Sequence, residues 1–142
     1  HRCCTTTSQR TYEKLNQMKD IETIEDIELL VNTFYSKVRK DNIIGFFFND
    51  VAKTNWEEHL PKMYLFWRAL LFMDIKFDGN PVGAHIPINL QVPMEEHHFD
   101  HWVGLWKETV DELFEGETAE DAKNKGQNIA KMMAFKMRQV RM

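Results

Sequence analysis

Asp78-Gly-Asn-Pro-Val-Gly-Ala-His85-Ile-Pro-Ile-Asn-Leu-Gln-Val-Pro93 lies between two strongly helical stretches and carries three of the chain's four prolines. It reads as a loop built to hold one histidine, His85. A long connection without regular structure is uncommon in a compact domain unless it serves a function. Val82, Ile86, Ile88, Leu90 and Val92 are too apolar for a segment at home in water.

Working outward, the upstream neighbour opens at Thr54-x-x-Glu57, a capping box, and places Trp56, Leu60, Met63, Phe66, Trp67, Leu70 and Leu71 at helical spacing. His59 falls on the same face. Pro61 lies beyond the first turn and removes a backbone hydrogen bond, so a kink or a late start to regular helix is expected near His59. Further back, Thr23-x-x-Asp26 caps a helix running to Lys40 with Ile27, Leu30, Val31, Phe34 and Val38 inward and Tyr35 at the edge, a boundary residue whose hydroxyl reaches water. Gly45 and Asn49-Asp50 bracket Phe46-Phe47-Phe48, three aromatics that cannot all face one core.

Downstream, Pro93 and Glu95-Glu96 form a helix N-terminus, and Phe99, Trp102, Val103, Trp106, Val110 and Leu113 make one apolar stripe that Gly116 ends. Thr118-x-x-Asp121 caps a last helix with Ala122, Ile129, Met132, Met133, Met137 and Val140 on its inner side. No strand alternation appears. The class is all-α, with about four substantial helices.

Composition bounds the partners. The chain has 142 residues, 43% of them hydrophobic, enough for one domain, with residues 1–20 read as a polar tail and 21–142 as the folded unit. A formal charge of −4, with no basic stripe, speaks against nucleic acid. No apolar run reaches the ~18 residues needed to span a bilayer, no signal-peptide pattern opens the chain, and a monomer in a reducing cytoplasm is the expectation. Cys3 and Cys4 are adjacent in the tail, badly placed to bridge each other, though exposed thiols there would cross-link two chains. The residues beginning at His1 are set aside from fold reasoning.

His97 and His101 share a helix face, as metal chelators do, but at ~100° per residue they point away from the Phe99/Trp102/Trp106 stripe into solvent, with His98 at its edge. His59 and His85 are different: both sit among apolar residues and are able to face one cavity from two sides. That arrangement holds a flat iron cofactor, one imidazole on the metal and a polar group beyond it. The same residues suit an ordinary helical core, and spacing leaves both readings open.

From about Glu25 onward the ordered pieces resemble a truncated haemoglobin of group III. Phe34-Tyr35-Ser-Lys-Val-Arg-Lys is similar to the family's B helix, Gly45-Phe-Phe-Phe48-Asn49 to the corner after it, and Trp56-Glu-Glu-His59 with Phe66-Trp67 to its E helix. Gly79-Asn-Pro-Val-Gly-Ala-His85 resembles the reduced F region and Phe99-Asp-His-Trp102 the G helix. The resemblance implies a globin-like two-over-two helical sandwich whose F helix is largely replaced by a loop. It further implies non-covalent haem b, the chain having no Cys-x-x-Cys-His, with His85 as the iron ligand and Phe48, Met63, Phe66, Trp67 and Trp102 against the ring. Tyr35, His59 and Trp102 would meet dioxygen or another diatomic ligand, and Lys62 a haem propionate. Oxygen binding or transport, without a catalytic residue, is the implied role. A nitric oxide dioxygenase or peroxidase-like enzyme fed by an external reductase, and a non-haem helical interaction module, are the alternatives.

Overall fold

The structure, a computed structural model, describes residues 18–142; Cys3, Cys4 and the rest of the tail before Met18 lie outside the described residues. Thr23 starts α1 (Ile24–Lys40) with the expected capping box, its hydroxyl accepting from Asp26 N–H. A π-helical turn (Phe47–Val51) follows. Next come α2 (Trp56–Leu71), α3 (Pro81–Gln91), α4 (Glu96–Leu113) and α5 (Glu117–Arg141). No strand occurs among the described residues.

α1 packs on α2 and α4 on α5, and the first pair lies over the second through contacts of α1 with α4 and of α2 with α5. The core between the pairs is aromatic. Phe34 meets Trp102 and Trp106 edge-on at 5.3 and 5.0 Å, and Trp67 stacks on Trp106 at 4.2 Å. Trp106 donates its indole N–H to the Ala122 carbonyl at 2.9 Å, which satisfies the one polar atom of a fully buried ring. That approach needs Gly126, since a Cβ there would lie 2.5 Å from the Trp106 ring.

Several expectations change in detail. The stretch 78–93 is not one loop: the chain is irregular over 72–80 and then forms the eleven-residue α3, which carries His85 and packs on α5. α2 starts without delay at Trp56, capped by Asn55 rather than Thr54, and His59 N–H already bonds the Asn55 carbonyl at 2.9 Å. Pro61 therefore costs one intrahelical bond without displacing the first turn. On α5, Met133 and Met137 are buried, whereas Met132 and Val140 are exposed, because the buried stripe runs through Ala122, Gly126, Ala130, Met133 and Met137.

Thr118 does not cap α5 either. Gly116 precedes the helix at φ 146°, a left-handed conformation that favours glycine, and the cap comes from 98 residues away: Asp20 accepts from Thr118 N–H at 2.9 Å and Ala119 N–H at 2.8 Å. Ile21 beside it is buried and Lys19 accepts from Glu115 N–H at 3.0 Å, so residues 19–21 are tied into the body.

Burial raises the Asp20 carboxyl pKa, but bonds from Thr118, Ile21 and Ala119 N–H groups outweigh it and leave it below the ordinary value. The carboxylate's stabilisation is complete above the unfolded pKa of about 3.9 and is lost as pH falls through the folded one. Asp20→Ala should cost about 1–2 kcal/mol in denaturant melts at neutral pH and flatten the stability curve below about pH 4.

Candidate functional site

Between the helix pairs, under the π-helical turn, lies a cavity of about 590 Å³ with mostly apolar walls. Tyr35, Phe48, His59, Met63, Phe66, Trp67, His85 and Trp102 all line it, drawn from α1, the π-helical turn, α2, α3 and α4. Ile129 and Met133 of α5 close the far wall.

His85 projects from the first half of α3. Asn80 caps that helix by accepting from Gly83 N–H at 3.0 Å, and Pro81 occupies a first-turn position where a missing N–H is harmless. One turn on, His85 Nδ1 lies 2.6 Å from the Pro81 carbonyl. A carbonyl only accepts, so Nδ1 carries the proton and the neutral ring presents a bare lone pair at Nε2. Burial lowers the His85 pKa, against the raising effect of the Pro81 bond. This imidazole has the protonation pattern of a metal ligand.

His59 is enclosed by Tyr35, Trp56 and Phe48, with ring centroids at 5.2, 5.4 and 6.4 Å. Its Nε2 is buried with no hydrogen-bond partner. Burial lowers its pKa, and repulsion from His85 and Lys62 adds to the effect. Unpartnered buried polar atoms are rare and call for an explanation. Tyr35 is 6% exposed, contrary to the boundary position expected of it, and burial alone pushes its phenol upward, so its O–H stays a donor at any physiological pH. Trp102 meets Phe34 edge-on at 5.3 Å and lies parallel to Trp106 at 6.0 Å. Lys62, exposed, reaches the cavity from α2.

The histidines of α4 divide differently than expected. His101 is half-buried, not fully solvated: its Nε2 lies 2.7 Å from Asp41 Oδ2, joining α4 to the end of α1. A helix face that points away from the core still meets a neighbour when a loop crosses it. His98 lines the cavity, accepting Glu95 N–H at Nδ1 (2.9 Å) and meeting Phe47 edge-on at 4.8 Å. Burial, then His97, lowers its pKa, with Glu95 opposing.

The chain is 30% identical, over 122 residues, to the group 3 truncated hemoglobin Ctb of Campylobacter jejuni, a match spanning 84% of this chain and 88% of that protein. The chain belongs to the group III truncated haemoglobins. A crystal structure of a group III truncated hemoglobin from Campylobacter jejuni superposes with a TM-score of 0.71 at 26% identity, covering 84% of this chain and 94% of the other. No protein-family model matches the chain. The two-over-two sandwich formed by α1, α2, α4 and α5 is the globin-like fold of that structure.

Sequence reasoning missed several walls of this truncated globin's cavity, chiefly Phe47, Phe77, Met94 and His98. Phe77 and Met94 lie in irregular segments, where periodicity carries no information. His98 was legible only as the edge of a stripe.

In the cofactor-free protein the ring protons of His59 and His85 should titrate below the ordinary value of about 6.5. The unfolded chain then binds protons first, so stability should fall as pH drops through about 6.5 toward the folded values. NMR midpoints at or above 6.5 would contradict the burial described for both rings.

Proposed function

We propose that this truncated globin binds haem b non-covalently in the cavity, with His85 on the iron, and that Tyr35, His59 and Trp102 receive dioxygen or a related diatomic ligand. One observation carries the reading: two neutral histidines, one with a lone pair prepared by the Pro81 carbonyl and one with an orphaned ring nitrogen, share a single apolar cavity. An apolar pocket with a few convergent polar groups is what such a cofactor requires. Haem, when bound, supplies reversible coordination of a diatomic molecule at iron.

The remaining functions belong to the chain's own residues. Phe48, Met63, Phe66, Trp67 and Trp102 exclude water and give the ring flat apolar surface. Lys62 and Lys76, both exposed where they meet the cavity, are partners for the propionates. The Tyr35 O–H and Trp102 N–H would serve as hydrogen-bond donors to a diatomic ligand that carries partial negative charge in the cavity. His59 Nε2 completes the polar set and gains, from a ligand, the partner it lacks.

Reversible binding is favoured over peroxide cleavage by the group that orients His85. The Pro81 carbonyl is a neutral acceptor; a carboxylate in its place would raise ligand basicity further.

The test is addition of haem to the cofactor-free protein. A Soret band should develop, and its absence would leave the helical interaction module as the reading. Tyr35→Phe should then speed dioxygen release by about five- to hundredfold in stopped flow, for a lost bond of about 1–3 kcal/mol. Unchanged release would remove Tyr35 as the principal donor.

A further inference from the structure

α3 is a poor helix by sequence. Pro-Val-Gly-Ala-His-Ile-Pro-Ile-Asn-Leu-Gln holds Gly83 and an interior proline, Pro87, which withholds one intrahelical bond. Eleven residues are also too few for a helix to stand alone in water. Its apolar packing is partial, since Leu90 is 66% exposed and Val82, Ile86 and Ile88 are only half-buried, the first two against the cluster of Phe99, Met133 and Met137 and the third against the main core. Something else holds it.

The buried polar residue of α3 is Asn89, 1% exposed and four residues after His85, on the same helix face. Its Nδ2 donates to the Met137 carbonyl of α5 at 3.0 Å. Its Oδ1 accepts from Met94 N–H at 2.9 Å and from Arg141 Nη1 at 2.7 Å, and the same Nη1 donates to the Met94 carbonyl at 2.8 Å. One amide thus joins α3, the connection into α4, and the last turn of α5. A hydrophobic contact permits a helix to roll; three directional bonds to one buried amide do not.

We propose that Asn89, locked by Arg141 and the Met137 carbonyl, is a positioning residue that fixes the axial rotation of α3 and thereby the direction in which His85 presents Nε2. The proposal rests on the haem reading for its purpose, though not for its structural content. Asn80 secures the start of α3 and Asn89 its end, with His85 between them. Because the two side chains share a face, a rotation that releases Asn89 from Met137 swings His85 by the same angle.

The experiment compares Asn89→Ala and Arg141→Met with Lys125→Met, which removes a polar tie elsewhere, from Lys125 Nζ to the Leu70 carbonyl. In haem-loaded, ferrous, ligand-free protein, the iron–histidine stretching band in resonance Raman should shift or split for the first two variants and not for the third. Haem transfer to an acceptor globin should accelerate by about 10–100-fold for Asn89→Ala, the scale for residues that orient a metal ligand. In haem-free protein, hydrogen exchange should show α3 amides losing protection while α4 and α5 keep theirs. Melting curves place the three variants on one stability scale, and the softer Arg141→Met serves if Asn89→Ala does not fold.

A band unchanged in the first two variants, or the same band change in all three, would overturn the positioning role. If the wild type takes up no haem, the functional reading falls. The exchange arm then decides alone whether Asn89 holds α3: protection kept in Asn89→Ala overturns the proposal, and protection lost only in α3 supports it.

Discussion

The hydrogen bond from His85 Nδ1 to the Pro81 carbonyl is the constraint on which the site depends. It exists only if α3 is helical there, because the two residues are one turn apart. It fixes the tautomer, and the tautomer decides that Nε2 offers a lone pair rather than a proton. A loop at the same place would leave both nitrogens free to find other partners. The asparagines at either end of α3 tie it down, Asn80 to Gly83 N–H and Asn89 to the Met137 carbonyl, and on the proposed reading they would act on the chemistry at one remove.

The core and the cavity share their walls. Trp67 is packed against Trp106 on one side and lines the cavity on the other, and Trp102 does the same from α4. Such stacked pairs add about 0.5–1.5 kcal/mol beyond area burial and have few ways to rearrange. The result is a chamber with mostly apolar walls. Within it the charged form of an imidazole is penalised, which is why His59 and His85 both have lowered pKa values, and why the Tyr35 phenol remains a donor. Neutral histidines and a protonated phenol are the states that the proposed coordination of iron and donation to a diatomic ligand would require.

Periodicity disclosed α1, α2, α4 and α5 because each carries an apolar stripe long enough to be read, such as Ile27, Leu30, Val31, Phe34 and Val38 on α1. The candidate site was legible through the ordered resemblance more than through periodicity, since Phe48 and His85 lie on none of those stripes, and all eight residues named for it line one cavity. α3 was not legible. Its prolines and glycine suppress helix propensity, and the bonds that override them come from Met137 and Arg141, about 50 residues downstream. His101 escaped for a related reason: its partner Asp41 is 60 residues away.

By itself the sequence determined the all-α class and the positions of the four long helices, since these follow from local spacing and side-chain type, while the roster of candidate cofactor-facing residues came from the family resemblance and not from spacing. The tertiary structure decided which atoms of those residues are free to act. Asp20 reaches across the fold to cap α5, Asn89 ties down the helix that bears His85, and the aromatic enclosure of His59 leaves Nε2 without a partner. These are contacts between residues far apart in the chain, and they depend on distances that only packing sets.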